Sequence, residues 1–317
     1  MGQTNTIFCI NIVINYTDII GCPKKFVAVT TLHESEFTEI LSYFSERWRI
    51  HESRYTLSNT WRVNKPRKDE TLKLVEDKLL FILYYFKNYP IQETMGLNRA
   101  ANRFGMSQGK VSIWIKVLLP ILQETLANFG DLPSRDGTTL DVILKESNHG
   151  KFYLDGTVRP VQRSTDYELQ KEHYTGKQCT HVVKNDLLND KNRRVWWISD
   201  TYEGSIHDKK VMDLENCKFP QGITLVYDTG FQNLLYDGVS ILQPHKAQRN
   251  APLVAIQKKI NTIISSERVV NEHTIGSVKR PHILRHELRS NNLDFRDNIF
   301  WIGCGLHNLR IRHRTKT

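Results

Sequence analysis

Cysteine is sparse and badly placed for crosslinking. Its five copies, Cys9, Cys22, Cys179, Cys217 and Cys304, are odd in number and form no Cys-x-x-Cys pair, which argues against a disulfide framework and a structural zinc site. They read as reduced thiols of an intracellular protein, nucleoid-associated or cytoplasmic in a bacterium and nuclear in a eukaryote. The 17 glycines and 10 prolines gather into no tract, so neither a fibrous repeat nor a long disordered segment is indicated. No internal repeat is visible. Long hydrophobic runs are missing too: the apolar stretch 6–20 is interrupted by Asn11, Asn15 and Asp18, and no basic segment precedes it. Neither a signal peptide nor a membrane span fits, and an amino-terminal strand or loose arm is expected there.

With 39% hydrophobic and 25% charged residues, the composition is that of an ordinary globular protein, and 317 residues suffice for one sizeable core and an accessory domain. Negative charge is in short supply. The net charge of +10 points to a polyanionic partner, nucleic acid before others, because binding it releases condensed counterions.

The chain divides by texture. Residues 1–66 form an amino-terminal arm and a helix over 34–48, where Phe37, Ile40, Leu41, Phe44 and Trp48 recur at helical spacing as a core stripe. Residues 67–129 are helical throughout, and within 97–118 the spacing fits a helix-turn-helix. Ala101 allows close helix approach, Gly105 supplies the positive φ of the turn, Val111 locks the second helix and Ser107 caps it. Gln108, Lys110 and Ser112 would then face a major groove, and Arg99 and Arg103 would meet phosphate. A helical hairpin without DNA contact is the alternative. A linker, 130–150, follows, with Pro133, Ser134 and Asp136 as turn formers.

Beyond residue 151 the pattern becomes short β-rich runs: 151–154, 180–188 and 194–199 as a hairpin, 222–227, and 240–243, with a short helix near 207–214 and a long one over 251–280. This order indicates an α/β domain, 151–317, with a mixed sheet and flanking helices. Two acids share one context: Asp155 follows Phe152, Tyr153 and Leu154, and Asp228 follows Leu225, Val226 and Tyr227, so each is expected just past the end of a core strand. If the two strands are neighbours, the carboxylates converge, and their repulsion calls for a hard cation such as Mg²⁺ or Mn²⁺. Glu272, on the long helix, is the candidate third ligand. Two cations held by such a trio constitute a phosphodiester-cleaving arrangement. Arg268 and Lys279 share a helix face with Glu272 and would grip phosphate. His207 and Asp208 could orient substrate, or Asp208 could cap a helix. Trp196 and Trp197 face opposite sides of a strand, one of them core. Arg285, Arg289, Arg296, Arg310, Arg312 and Arg314 form a basic carboxyl-terminal tail, expected on the DNA backbone.

Four segments carry a resemblance: LDGTVRPVQRSTDYELQKEHYTGKQCTHVVK at 154–184, GSIHD at 204–208, YDTGF at 227–231 and ERVVNEHTIGSVK at 267–279. Over roughly half of the chain, from 151 to 312, it resembles the DDE-type transposases of the Harbinger-like and related bacterial insertion-sequence groups. The resemblance implies a ribonuclease H-like core with Asp155, Asp228 and Glu272 as acidic ligands of two Mg²⁺ or Mn²⁺ ions; the separations 228 − 155 = 73 and 272 − 228 = 44 are compatible with it. A tyrosine, arginine, glutamate, lysine signature of related transposases is met by Arg268, Glu272 and Lys279, while its tyrosine position holds Ser265. Double-stranded DNA, both element terminal repeats and target, is the implied partner, and pairing two ends implies a homodimer or larger assembly. Strand transfer to target DNA is the implied reaction. A domesticated DNA-binding protein and a plain metal-dependent endonuclease are the alternatives.

Overall fold

The computed structural model describes residues 14–64, 71–96, 104–147, 149–247 and 252–315. Arg99, Ala101 and Arg103 lie outside them, as do Cys9 and most of the expected amino-terminal arm. The chain forms two compact units, Met1–Phe129 and Gly130–Thr317.

The first unit is helical: α1 (Pro23–Thr30), α2 (Glu34–Arg54), α3 (Val75–Asn88), α4 (Gln92–Gly96) and α5 (Gln108–Asn128). The α2 stripe of Phe37, Ile40, Phe44 and Trp48 is buried as its spacing requires, with Leu41 half-buried on its flank. On α3, Leu79 through Leu83 are all fully buried, so this helix is wrapped by its neighbours. Even Lys78 is buried, its ammonium on the Leu72 carbonyl and 4.8 Å from the Trp48 ring centre. Since α2 packs on both α3 and α5, residues on either side of position 66 share this unit rather than forming an appendage and a separate domain. Gly105 has φ +66°, Ser107 accepts a hydrogen bond from the Lys110 amide at the start of α5, and Val111 is buried.

The second unit begins earlier than the expected domain. The stretch 130–150 carries a 3₁₀ turn (Gly137–Thr139) and α6 (Leu140–Glu146), and Leu140 and Leu144 enter the core cluster with Phe152, Leu154, Trp197 and Leu225. Leu140 and Leu144, one helical turn apart, bind this segment to the sheet, which a free linker would not do.

The sheet comprises β1 (Lys151–Pro160), β2 (Tyr174–Thr175), β3 (Thr180–Asp190), β4 (Val195–Ile198), β5 (Tyr202–Glu203), β6 (Thr224–Val226) and β7 (Ser240–Leu242), with α7 (Tyr167–His173) and α8 (Asp208–Glu215) in the connections. Its order is β2-β3-β1-β6-β7, with β4 and β5 on the far side of β3. β1 pairs antiparallel with β3 and parallel with β6, and β6 pairs parallel with β7, so the sheet is mixed. Alternation along β1 sets the layers. Phe152 and Leu154 join the cluster that includes Met212 of α8, whereas Tyr153 reaches Glu267 of α9 (Ala255–Val278) and Arg159 reaches α10 (Leu293–Thr315). Trp197 is core, and half-buried Trp196 donates to Asp190 beneath the Arg194 guanidinium.

Of the six arginines expected in a basic carboxyl-terminal tail, Arg285, Arg289 and Arg314 are exposed, whereas Arg296, Arg310 and Arg312 are engaged within the unit. Residues 293–315 form α10, buried on nearly every side from Ile299 to Ile311. Arg296 and Arg310 are buried against the Ser290 and Ser277 carbonyls, and Arg312 makes a forked pair with Asp131, which is fully buried. Asn308 both donates to and accepts from the Val195 backbone, closing the free edge of β4. A helix so enclosed satisfies its cations internally because an unpaired buried charge is expensive.

Two stability measurements test this packing. Arg312→Ala leaves the Asp131 carboxylate buried without its partner and is expected to cost about 3 kcal/mol or more, read as a lowered urea midpoint, whereas a solvated phosphate-binding arginine would leave it unchanged. His307 is buried between Ser277 and the Arg193 carbonyl, and burial lowers its pKa to about 3. The unfolded imidazole takes up a proton near pH 6.5 while the folded one stays neutral, so stability is lost as pH falls from 6.5 toward 3. Acidification from pH 6.5 to 4.5 is expected to remove up to roughly 3 kcal/mol, and His307→Gln to flatten that slope.

Candidate active site

Asp155 is not past a strand end. It lies inside β1, paired with Leu187, because the antiparallel partner β3 continues well beyond the point where β6 stops at Val226. Asp228 sits two residues beyond β6 and accepts from the Thr229 amide at the start of a short 3₁₀ turn. The parallel register Tyr153↔Val226 brings the two acids to the same sheet edge.

Arg268 of α9 stands between them, 3.8 Å from Asp155 Oδ2 and 3.4 Å from Asp228 Oδ1. Burial raises the Asp155 pKa to about 6; Arg268 and the Gly156 amide oppose this, and the charges of Asp228 and Asp208 add to it. Glu267 fixes α9 over β1 by accepting from Lys151 at 3.0 Å and from the Tyr153 hydroxyl at 3.1 Å. Lys279, at the helix end, donates to the Val158 carbonyl at 2.6 Å, and burial lowers its pKa to about 8. Both cations expected to grip phosphate are therefore engaged within the unit.

Glu272 is exposed and has no hydrogen bond or ion pair among the described residues. At roughly 100° per residue it falls about 40° around the helix from Arg268 and about 20° from Lys279, so it belongs to the stripe whose two other members reach β1. No three His, Cys, Asp or Glu side chains among the described residues stand together ready to hold a metal ion. The carboxylate pair itself suits a hard divalent cation: its donors are oxygens, and its charge is met by a single guanidinium whose Nε has no partner.

A second layer lies beneath the pair. The Asp208 carboxylate is 2.8 Å from Lys184 Nζ, and Lys184 also donates to the Ile206 carbonyl. Asp208 begins α8 but does not cap it; exposed His207 occupies the cap position without a side-chain cap bond. A Cβ added at Gly156 would lie 3.0 Å from Asp208 Oδ1, and one at Gly230 would lie 2.7 Å from Asp208 Oδ2. Gly156, next to Asp155, and Gly230, two residues after Asp228, thus lack side chains where Asp208, and at Gly156 also Asp186, fills the space. Asp186, opposite Gly156 in β3, is fully buried with neither carboxylate oxygen partnered, and burial pushes its carboxyl well above the ordinary range. Sequence reading did not single out Lys184, Asp186 or Glu267. Charged residues within the strand run 180–190 were the available signal, since a half-buried strand places polar groups inward only at a price.

In the first unit Gln108 and Lys110 are exposed at the start of α5, and Ser112 is half-buried.

Two aspartates at one sheet edge, spanned by the arginine of a helix that also bears a glutamate, define the class of site. Residues 154–308, just under half of the chain, match the family model described as DDE superfamily endonuclease, and this match supports a DDE-type transposase. Among characterised sequences it is similar to the probable transposase for insertion sequence element IS702 of Microchaete diplosiphon, 23% identical over 241 residues, which span 75% of this chain and 81% of that protein. No solved structure gives a significant match. No described helix is long and apolar enough to cross a membrane.

The packing of Asp208 against two glycines has a direct test. Gly230→Ala is expected to cost about 1–3 kcal/mol by overpacking, and Asp208→Ala in the same chain to recover much of it. Additive costs in urea titrations of the two single variants and the double variant would refute the contact.

Proposed function

We propose that the protein is a DNA transposase that binds the terminal repeats of a mobile element, hydrolyses phosphodiester bonds at its ends and transfers the 3′-hydroxyl to target DNA. The observation that carries the reading is Arg268 spanning Asp155 and Asp228, two carboxylates from parallel neighbouring strands, within the family-matched region. The strand order, three antiparallel strands with two parallel ones added beyond β1, supports a ribonuclease H-like core.

Asp155, Asp228 and Glu272 would hold two Mg²⁺ or Mn²⁺ ions, which supply Lewis-acid charge at the scissile phosphate. Arg268, released from the carboxylates, would turn its guanidinium to a phosphate oxygen, for which its planar fork is suited. Lys279 holds the β1 backbone beside the site and contributes positive charge there. Asp208, fixed by Lys184, keeps the two acid-bearing segments at a constant separation from the opposite face of the sheet. Gln108, Lys110 and Ser112, with Arg99 and Arg103, would read the terminal repeat, and joining two ends would require at least a dimer.

The test is cleavage and joining of a labelled element-end duplex in Mg²⁺. Asp155→Asn, Asp228→Asn and Glu272→Gln are each expected to lower cleavage about 100-fold or more, the loss that follows from several kcal/mol of transition-state stabilisation. Full activity of Glu272→Gln would remove that residue from the ligand set. Nicks without joined products would mark a plain endonuclease, and bound but uncut DNA a domesticated binder.

A further inference from the structure

The first unit carries a cleft of about 280 Å³ away from the start of α5, lined by Arg47, Arg54, His51 and Asn59 from α2 and the turn after it, and by Lys116 and Glu124 from α5. Its size is at the lower limit of sites for whole small ligands, roughly 300–1,000 Å³, and fits a charged group instead. Arg47 is paired with Glu124. Arg54 and Lys116 are exposed and form no ion pair among the described residues. The His51 Nε2 is buried without a hydrogen-bond partner.

Beside this cleft an aromatic series rises from core to surface: Trp114 to Trp48 at 5.5 Å between ring centres, Trp48 to His51 at 5.8 Å, His51 to Tyr55 at 5.5 Å and Tyr55 to Trp61 at 5.7 Å. Its last member, Trp61, is 68% exposed. The turn that presents it is built: the Thr56 amide donates to the Thr60 carbonyl, Asn59 takes φ +59°, and Arg62 Nε donates to the Tyr55 carbonyl. A tryptophan held outward beside unpaired cations is the combination that grips a polynucleotide, phosphate in the basic cleft and an unstacked base or sugar on the ring.

We infer that this face, Arg54 and Lys116 with Trp61, is a second DNA-binding surface of the first unit, sequence-independent and separate from the expected reader at Gln108, Lys110 and Ser112. The inference rests on the transposase reading for its partner and on the cleft for its place.

The experiment uses the full chain and a mixed-sequence fluorescent duplex with a single-stranded extension, titrated over a range of salt. Each phosphate contact contributes a slope of about 0.9 in log K against log salt, so Arg54→Ala with Lys116→Ala is expected to reduce the slope by roughly two. Arg54→Lys with Lys116→Arg should retain it, and Lys24→Ala with Lys25→Ala, exposed lysines on α1, should change it little. Trp61→Ala is expected to weaken binding roughly tenfold without altering the slope, and Trp61→Phe to remove DNA-induced tryptophan quenching. A wild-type chain that binds with the same slope as the Arg54, Lys116 variant refutes this surface and leaves the transposase reading standing. A wild-type chain that binds neither this duplex nor an element-end duplex in any salt refutes both.

Discussion

Like charges brought to one place must be compensated, and the carboxyl-terminal unit is arranged around that requirement. Parallel pairing of β1 with β6 carries Asp155 and Asp228 to one sheet edge, and the guanidinium of Arg268 stands between them. Arg268 can stand there only because α9 is fixed over β1, which Glu267 achieves through Lys151 and Tyr153 one residue earlier on the helix. The same helix face carries Glu272, so a third carboxylate is available on the element that already brings positive charge to the other two. One fixed helix thereby brings Arg268 to the aspartate pair and carries Glu272 on the same face, which is the arrangement that the proposed cation site would use.

Beneath the pair, a second charge problem is solved differently. Asp208 and Asp186 approach Gly156 from the opposite face of the sheet, and Lys184 compensates Asp208 directly. Asp186 is left to burial, which favours its protonated form. The sheet therefore separates Asp155 and Asp228 on one face from Asp208 and Asp186 on the other, and of these four only Asp186 is fully closed off from solvent. The charges of the two faces are felt across the sheet, since Asp208 adds to the upward shift of Asp155 and Asp155 to that of Asp186.

Much of this was legible in the sequence, and what was not has a common cause. The apolar triplets before Asp155 and Asp228 mark strands because a buried parallel pair needs continuous hydrophobic runs. The periodicity of α2 and α9 marks helices for similar local reasons. The length of β1 was missed because it depends on β3, a distant partner whose pairing continues through Asp155 to Pro160. Local pattern also could not tell that 130–150 packs on the sheet, since Leu140 and Leu144 find their neighbours in Phe152, Trp197 and Leu225. Of the candidate site, the two aspartates and the helical stripe were readable; Lys184 and Asp186 were not, because their significance lies in side chains that meet only after folding.

Arginine shows most clearly why composition and location are different questions. An excess of ten positive charges identifies the kind of partner, and nothing in that sum says which cations face it. The densest arginine segment, near the carboxyl terminus, folds into a helix enclosed by its own unit, where Arg312 is spent on Asp131 and Arg296 and Arg310 on carbonyl groups. Arg268 and Lys279 are likewise engaged at the acidic edge and on the Val158 carbonyl. The surplus that could meet a polyanion must therefore come from residues without such partners, and in the first unit Arg54 and Lys116 are of that kind. Burial sorts cations into those that hold the protein together and those left for a ligand, and it does so by a criterion that sequence density does not contain.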